Sequence, residues 1–153
     1  MMLADLAVPP GHAMLDTCVL LAATDESRKG HRDALAVFDE WPAAGAALYI
    51  SGQILREYLA VATRPVTVNG LGLPLADALD NASVFRERAT LLIEDGKVAD
   101  RLRALLREVT CGGKAVYDAN VIATVLVHGV GTVVTANPAD FARFESYVSL
   151  LGF

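Results

Sequence analysis

The chain has 153 residues, 54% hydrophobic and 20% charged, a balance that excludes a disordered polypeptide and is enough for one domain with a core that needs no disulfide or zinc staple. Its formal net charge of -5 removes the broad basic footprint on which non-specific nucleic-acid binding rests, so nucleic-acid chemistry would have to come from a local site where bound cations reverse the sign. Cys18 and Cys111 lie far apart and form no CxxC pair, which argues against a zinc site or a disulfide and fits a reducing cytoplasm.

The opening MMLADLAVPPGH has neither a basic n-region nor a sustained apolar stretch, and the longest apolar run, Val121 to Val127, is too short to span a bilayer. No membrane association is expected. Ala13-Met14-Leu15 reads as a buried strand that ends at Asp16-Thr17, where a helix begins. His31 to Trp41 has amphipathic helical spacing, closed by Pro42 and Gly45. Ala47 to Ile50 is a second strand, and Ser51 suits the N-cap of a helix from Gly52 to about Thr63, stopped before Pro65.

Val66 to Pro74 reads as a loop, Leu75 to Ala89 as a helix, and Leu91 to Ile93 as a short strand before the turn Glu94-Asp95-Gly96. Lys97 to Val109 is amphipathic, whereas Ala115 to His128 is apolar nearly all round and is expected at the centre of the fold. Thr132 to Thr135 is a strand, followed by an Asn137-Pro138 turn, a short helix over Asp140 to Phe144 and a final strand near Tyr147 to Leu151. Short apolar strands alternating with helices imply βαβ units: an α/β fold whose parallel sheet is covered on both faces. Ligands then bind beyond the carboxyl ends of the strands, the rim to which Asp16 and the Thr135 to Asp140 turn point.

Four acids, Asp16, Glu57, Asp118 and Asp140, stand where apolar stretches meet polar boundaries. Gathered together, they suit Mg²⁺ or Mn²⁺, which take hard oxygen ligands and need neither histidine nor cysteine. Such an ion activates water for attack on phosphorus and neutralises the charge that grows there. Each acid also has a local explanation. Asp16 and Asp140 suit helix caps, Asp118 a first helical turn, and Glu57 a solvated face beside Arg56, while Asn137 is by default a turn former. The joint pattern carries the inference. His12, His31 and His128 have no ligand spacing, and Trp41 and the tyrosines read as core or rim residues.

In order and wording, Met14-Leu15-Asp16-Thr17, Gln53-Ile54-Leu55-Arg56-Glu57-Tyr58, Tyr117-Asp118-Ala119-Asn120 and Thr135-Ala136-Asn137-Pro138-Ala139-Asp140-Phe141 resemble the PIN-domain family, and within it the VapC-type toxins of bacterial toxin–antitoxin pairs. The resemblance covers essentially the whole chain. It implies a three-layer α/β/α fold with a central parallel sheet and a Mg²⁺- or Mn²⁺-dependent endoribonuclease, with Asp16, Glu57 and Asp118 as the core metal carboxylates. Many relatives carry an acid where Asn137 stands, so Asp140 is expected to supply the fourth charge. The common Asp-Thr-Asn is Asp-Thr-Cys here, so Cys18 does not offer the usual amide, and the Thr17 and Thr135 hydroxyls are left to hold Asp16 or a water.

The same resemblance suggests a small cognate antitoxin wrapped over the apolar faces of His31 to Trp41 and Gln53 to Thr63, and a homodimer. In isolation those faces better suit packing of the core. Lys114, Arg28 and Lys29 are candidates for gripping RNA phosphates, alongside the alternative of a solvated charged face. Two other functions fit the same residues: a housekeeping PIN nuclease in RNA maturation, and a PIN-like module that binds RNA or protein with weak catalysis. A haloacid-dehalogenase-type phosphatase needs a second Asp two residues after the first, a place held by Cys18.

Overall fold

A computed structural model describes residues 1–153. The chain alternates strands and helices: β1 (His12–Leu15), α1 (Thr17–Thr24), α2 (His31–Ala43), β2 (Ala47–Ser51), α3 (Gly52–Thr63), α4 (Leu75–Arg88), β3 (Thr90–Leu92), α5 (Gly96–Val109), α6 (Ala115–His128), β4 (Thr132–Thr135), α7 (Pro138–Phe141) and β5 (Ser149–Gly152). Every strand pairing is parallel, in the order β3-β2-β1-β4-β5. The strands at the middle are apolar along their length because helices cover both faces, and Ala13, Met14, Leu15, Val133 and Val134 are fully buried. Helices α1 to α4 pack among themselves, as do α5 to α7, which gives the expected α/β/α layering.

The strand order reverses direction between β1 and β4. Successive strands run outward from β1 to β3, and the chain then returns through α5 and α6 to β4 on the other side of β1. Right-handed crossovers taken in opposite directions put their helices on opposite faces, and a crevice opens where the direction changes. Asp16 and Thr135 sit at the carboxyl ends of the two strands that flank it.

Helix α6 is the central helix: Ala119, Val121, Ile122, Ala123, Thr124 and Val125 are all buried, and Gly129 closes it in the left-handed conformation. Three local readings shift. Helix α2 runs through Pro42 to Ala43, because the Phe38 carbonyl that Pro42 cannot serve accepts instead from the Arg88 guanidinium at 3.2 Å. The segment expected as a loop contains a 3₁₀ turn at Val66–Val68, and it folds back to place the Leu71, Leu73 and Gly72 amides on the Val61, Ala62 and Arg64 carbonyls at the end of α3. The last strand is Ser149–Gly152, slightly later than Tyr147 to Leu151.

The apolar faces of α2 and α3 turn into the core through Val37, Phe38, Trp41, Ile54, Tyr58 and Ala62. Among large hydrophobics, Leu75, Leu79 and Val84 of α4 are exposed, together with Val66 and Val68 before it. No helix is long and apolar enough to cross a membrane.

Candidate active site at the carboxyl rim of the sheet

Asp16 leaves β1 in extended conformation and caps α1, its Oδ1 accepting from the Thr17 amide at 2.8 Å. The cap expected of Asp16 is formed with one carboxylate oxygen, which leaves the other for the side chains of α1 and β4. That second oxygen, Oδ2, accepts from the Thr135 hydroxyl at 2.8 Å and the Cys18 thiol at 3.2 Å. Burial is the main force raising the Asp16 pKa and the Glu57 charge adds to it, while the donors from Cys18, Thr135 and Thr17 pull it down.

Cys18 takes over part of what an amide would do. Its sulfur accepts from the Ala136 amide at 2.9 Å and its S–H faces Asp16, so it links the start of α1 to the end of β4. Burial, and then the Asp16 charge, push the thiol up to about 12, which keeps it neutral and able to donate. Thr17 departs from the expectation that its hydroxyl holds Asp16. Its backbone amide does that, and the hydroxyl donates to Glu57 Oε2 at 2.6 Å.

Glu57 lies on α3, whose N-cap is Ser51 through a 3.4 Å contact from the Ile54 amide. It points inward, away from the solvated face shared with Arg56: Oε2 takes the Thr17 hydroxyl and Oε1 takes Gln53 Nε2 at 2.8 Å. Gln53, buried at 7% exposure, also donates to the Tyr117 carbonyl at 3.0 Å. Its own carbonyl accepts from Asn120 Nδ2 at 2.7 Å, and that amide nitrogen is also 2.7 Å from Glu94 Oε1. Glu94 Oε2 in turn accepts from the Gln53 backbone amide at 2.8 Å. Sequence reasoning gave Gln53, Asn120 and Glu94 no part in the site.

Asp118 is half-buried in the first turn of α6. Its pKa is raised from 3.8 to about 6, by burial first and then by the charges of Asp16, Asp140 and Glu57, with Arg143 acting in the opposite sense. Asp118 thus senses the other three acids, and none of the four is engaged in an ion pair. Asp140 is exposed on α7, and the Asn137 side chain makes no cap there, while the Asn137 amide donates to the Thr135 hydroxyl at 3.0 Å. No three His, Cys, Asp or Glu side chains converge tightly enough to form a closed metal cage as they stand.

Of the basic candidates, Lys114 is exposed at the start of α6 and Lys29 is exposed before α2, whereas Arg28 is drawn into a 3.6 Å ion pair with Asp25. Arg143 is the basic group close enough to act on Asp118.

The PIN domain family profile matches residues 13–146, nearly the full length of the chain. The chain belongs to the PIN-domain family. Among proteins of curated function none matches. Solved structures similar to this PIN domain include VapBC2 of Rickettsia felis bound to a DNA fragment from its promoter, with a TM-score of 0.66 at 16% identity over 93% of this chain and 98% of that one. VapBC-1 of nontypeable Haemophilus influenzae has a TM-score of 0.65 at 14% identity over 92% and 97%. VapC20 of Mycobacterium tuberculosis, described as a toxin that cleaves the sarcin–ricin loop, has a TM-score of 0.55 at 16% identity over 79% and 86%. At such identities the likeness is one of fold.

Proposed function

We propose that this PIN domain is a Mg²⁺- or Mn²⁺-dependent endoribonuclease that acts as the toxin of a VapBC-type pair. The observation that carries the reading is Asp118, half-buried in the first turn of α6, where burial first and then the charges of Asp16, Asp140 and Glu57 raise its carboxyl to about 6. An all-oxygen donor set with excess negative charge suits a hard divalent cation. Asp16, Glu57, Asp118 and Asp140 would hold it. When bound, such an ion stabilises charge on the phosphoryl group and lowers the pKa of an attacking water.

The remaining chemistry belongs to the chain. Thr135 and Cys18 fix Asp16 Oδ2, and Thr17 and Gln53 fix the two oxygens of Glu57, so these carboxylates lose little freedom when they take a ligand. Asn137 and Asp140 stand on the solvent side of the crevice, and Lys114 and Lys29 are free to meet RNA phosphates. The protein partner in this reading is a small antitoxin, consistent with neighbours that are toxin–antitoxin complexes. A homodimer and a cytoplasmic setting complete it.

A second reading is a PIN module that binds RNA or protein without cleaving. It is favoured by Asp16, whose two oxygens already accept from Thr17, Thr135 and Cys18. One experiment separates the two. Asp118→Asn keeps the shape of the side chain and removes its charge, so Mn²⁺-dependent cleavage of an RNA oligonucleotide is expected to fall at least about 100-fold, the upper range for disturbing a metal site. Circular dichroism should stay native. Full cleavage by the folded variant would exclude the assignment, and a wild-type protein that neither binds Mn²⁺ nor cuts RNA would leave the binding module standing.

A further inference from the structure

Resting on the metal-site reading above, the hydrogen bonds behind Glu57 carry a direction of their own. A carboxylate only accepts, so Glu94 requires donors on both of its oxygens. It obtains them from the Gln53 backbone amide at 2.8 Å and from Asn120 Nδ2 at 2.7 Å. That requirement decides which way the Asn120 amide faces. With its nitrogen turned to Glu94, Asn120 presents the same nitrogen to Gln53 at 2.7 Å, so Gln53 must answer with its oxygen. The Gln53 amide is then fixed with Nε2 toward Glu57 Oε1 at 2.8 Å and the Tyr117 carbonyl at 3.0 Å, both acceptors. Each link matches donor to acceptor, and the reverse orientation of Gln53 would set its oxygen against the Glu57 carboxylate.

We infer that Glu94, Asn120 and Gln53 are positioning residues that form a polarity relay, in which the acceptor-only Glu94 compels Gln53 to donate to Glu57 and so presets that carboxylate for a divalent cation. The relay joins three elements: Glu94 follows β3, Gln53 opens α3 and Asn120 lies in α6 beside Asp118. In a part-buried network whose donors and acceptors are matched, one reversed member unsettles the rest. Glu57 is therefore held from two sides, by Thr17 from the β1 end of the crevice and by the relay from the β3 end.

Glu94→Gln tests this, because it is nearly isosteric but brings a donor where the relay needs an acceptor. In the ¹⁵N-labelled full chain, the Gln53 side-chain NH₂ protons are expected downfield in the wild type and shifted toward free-amide positions in the variant. Mn²⁺ affinity, followed by electron paramagnetic resonance, is expected to fall about 10-fold, as is kcat for an unstructured RNA oligonucleotide, with KM unchanged. Glu94→Asp, which restores the acceptor, should recover part of each loss. Should Glu94→Gln fail to fold, Asn120→Ala cuts the relay at its middle and predicts the same movement of the Gln53 signals.

Unmoved Gln53 signals overturn the relay, even if Mn²⁺ binding drops, since that combination makes Glu94 a direct ligand instead. A wild-type protein without Mn²⁺ binding or cleavage refutes the nuclease reading alone. The Gln53 resonances then decide the relay: displacement by Glu94→Gln supports it and constancy overturns it.

Discussion

At the scale of single residues, the Asp118 carboxyl makes the site sensitive to pH in a defined sense. Its folded value of about 6 lies above the ordinary 3.8, so the folded protein holds a proton that the unfolded chain releases. The stability this contributes is complete below about pH 4 and is lost as the pH rises through about 6. Buried Asp16 shifts in the same direction. The metal-free protein should accordingly melt at a higher temperature at pH 5 than at pH 7, as scanning calorimetry in chelator would show. Mn²⁺ affinity should weaken over the same descent because protons compete for the carboxylates. A melting temperature independent of pH across this window would show that Asp118 is not crowded by its neighbours.

The acids are readable in the sequence because each ends an apolar run, a signal that depends on a few adjacent residues. Gln53, Asn120 and Glu94 are not. An amide has no preferred role until its neighbours declare themselves, and the partners here come from positions 26 to 67 residues apart that only the folded sheet brings together. Thr17 differs from its sequence expectation for a related reason: the helix cap engages its backbone amide, which frees its hydroxyl to turn to Glu57.

At the scale of elements, periodicity locates all the main helices and strands, and the deviations occur where a tertiary partner changes a local rule. Pro42 should end α2, yet the helix continues because Arg88 of α4 reaches the Phe38 carbonyl, pairs with Asp39 and lies over the Phe38 ring at 5.7 Å. Arg88→Ala is expected to lower stability by about 1–2 kcal/mol, the cost of leaving a partly buried carbonyl unpaired, while urea denaturation retains its slope. An unchanged midpoint would mean that water serves that carbonyl equally well. The 66–73 segment follows the same logic. Its glycines are visible in sequence as a loop, but the docking of its amides on the α3 terminus depends on the left-handed Asn69 and on Gly70, where an added Cβ would lie 1.9 Å from the Arg64 carbonyl oxygen.

At the scale of the whole molecule, acidity sets how nucleic acid can be held. A chain of net charge -5, with more acidic than basic side chains, lacks a broad basic footprint, so its RNA affinity in chelator should be weak and only shallowly dependent on salt. Adding Mn²⁺ should strengthen binding, and fluorescence anisotropy at several salt concentrations would reveal both effects. Tight, steeply salt-dependent binding without metal would contradict this. The overall α/β/α layering was legible from the alternation of strands and helices, and the apolar faces of α2 and α3 pack the core as their residues in isolation suggested, while α4 leaves Leu75, Leu79 and Val84 exposed. Amphipathic spacing shows that a face is apolar and says nothing about which neighbour covers it.

The end of the chain folds back beside its beginning: Met2 forms a parallel bridge with Gly152, whose amide donates to the Met1 carbonyl at 2.9 Å. The last residue of β5 is thereby covered, while β3 and β5 remain the two edge strands of the sheet. β3 and β5 are thus unequal borders: β3 carries no further bridge, whereas the end of β5 is met by the Met2 segment.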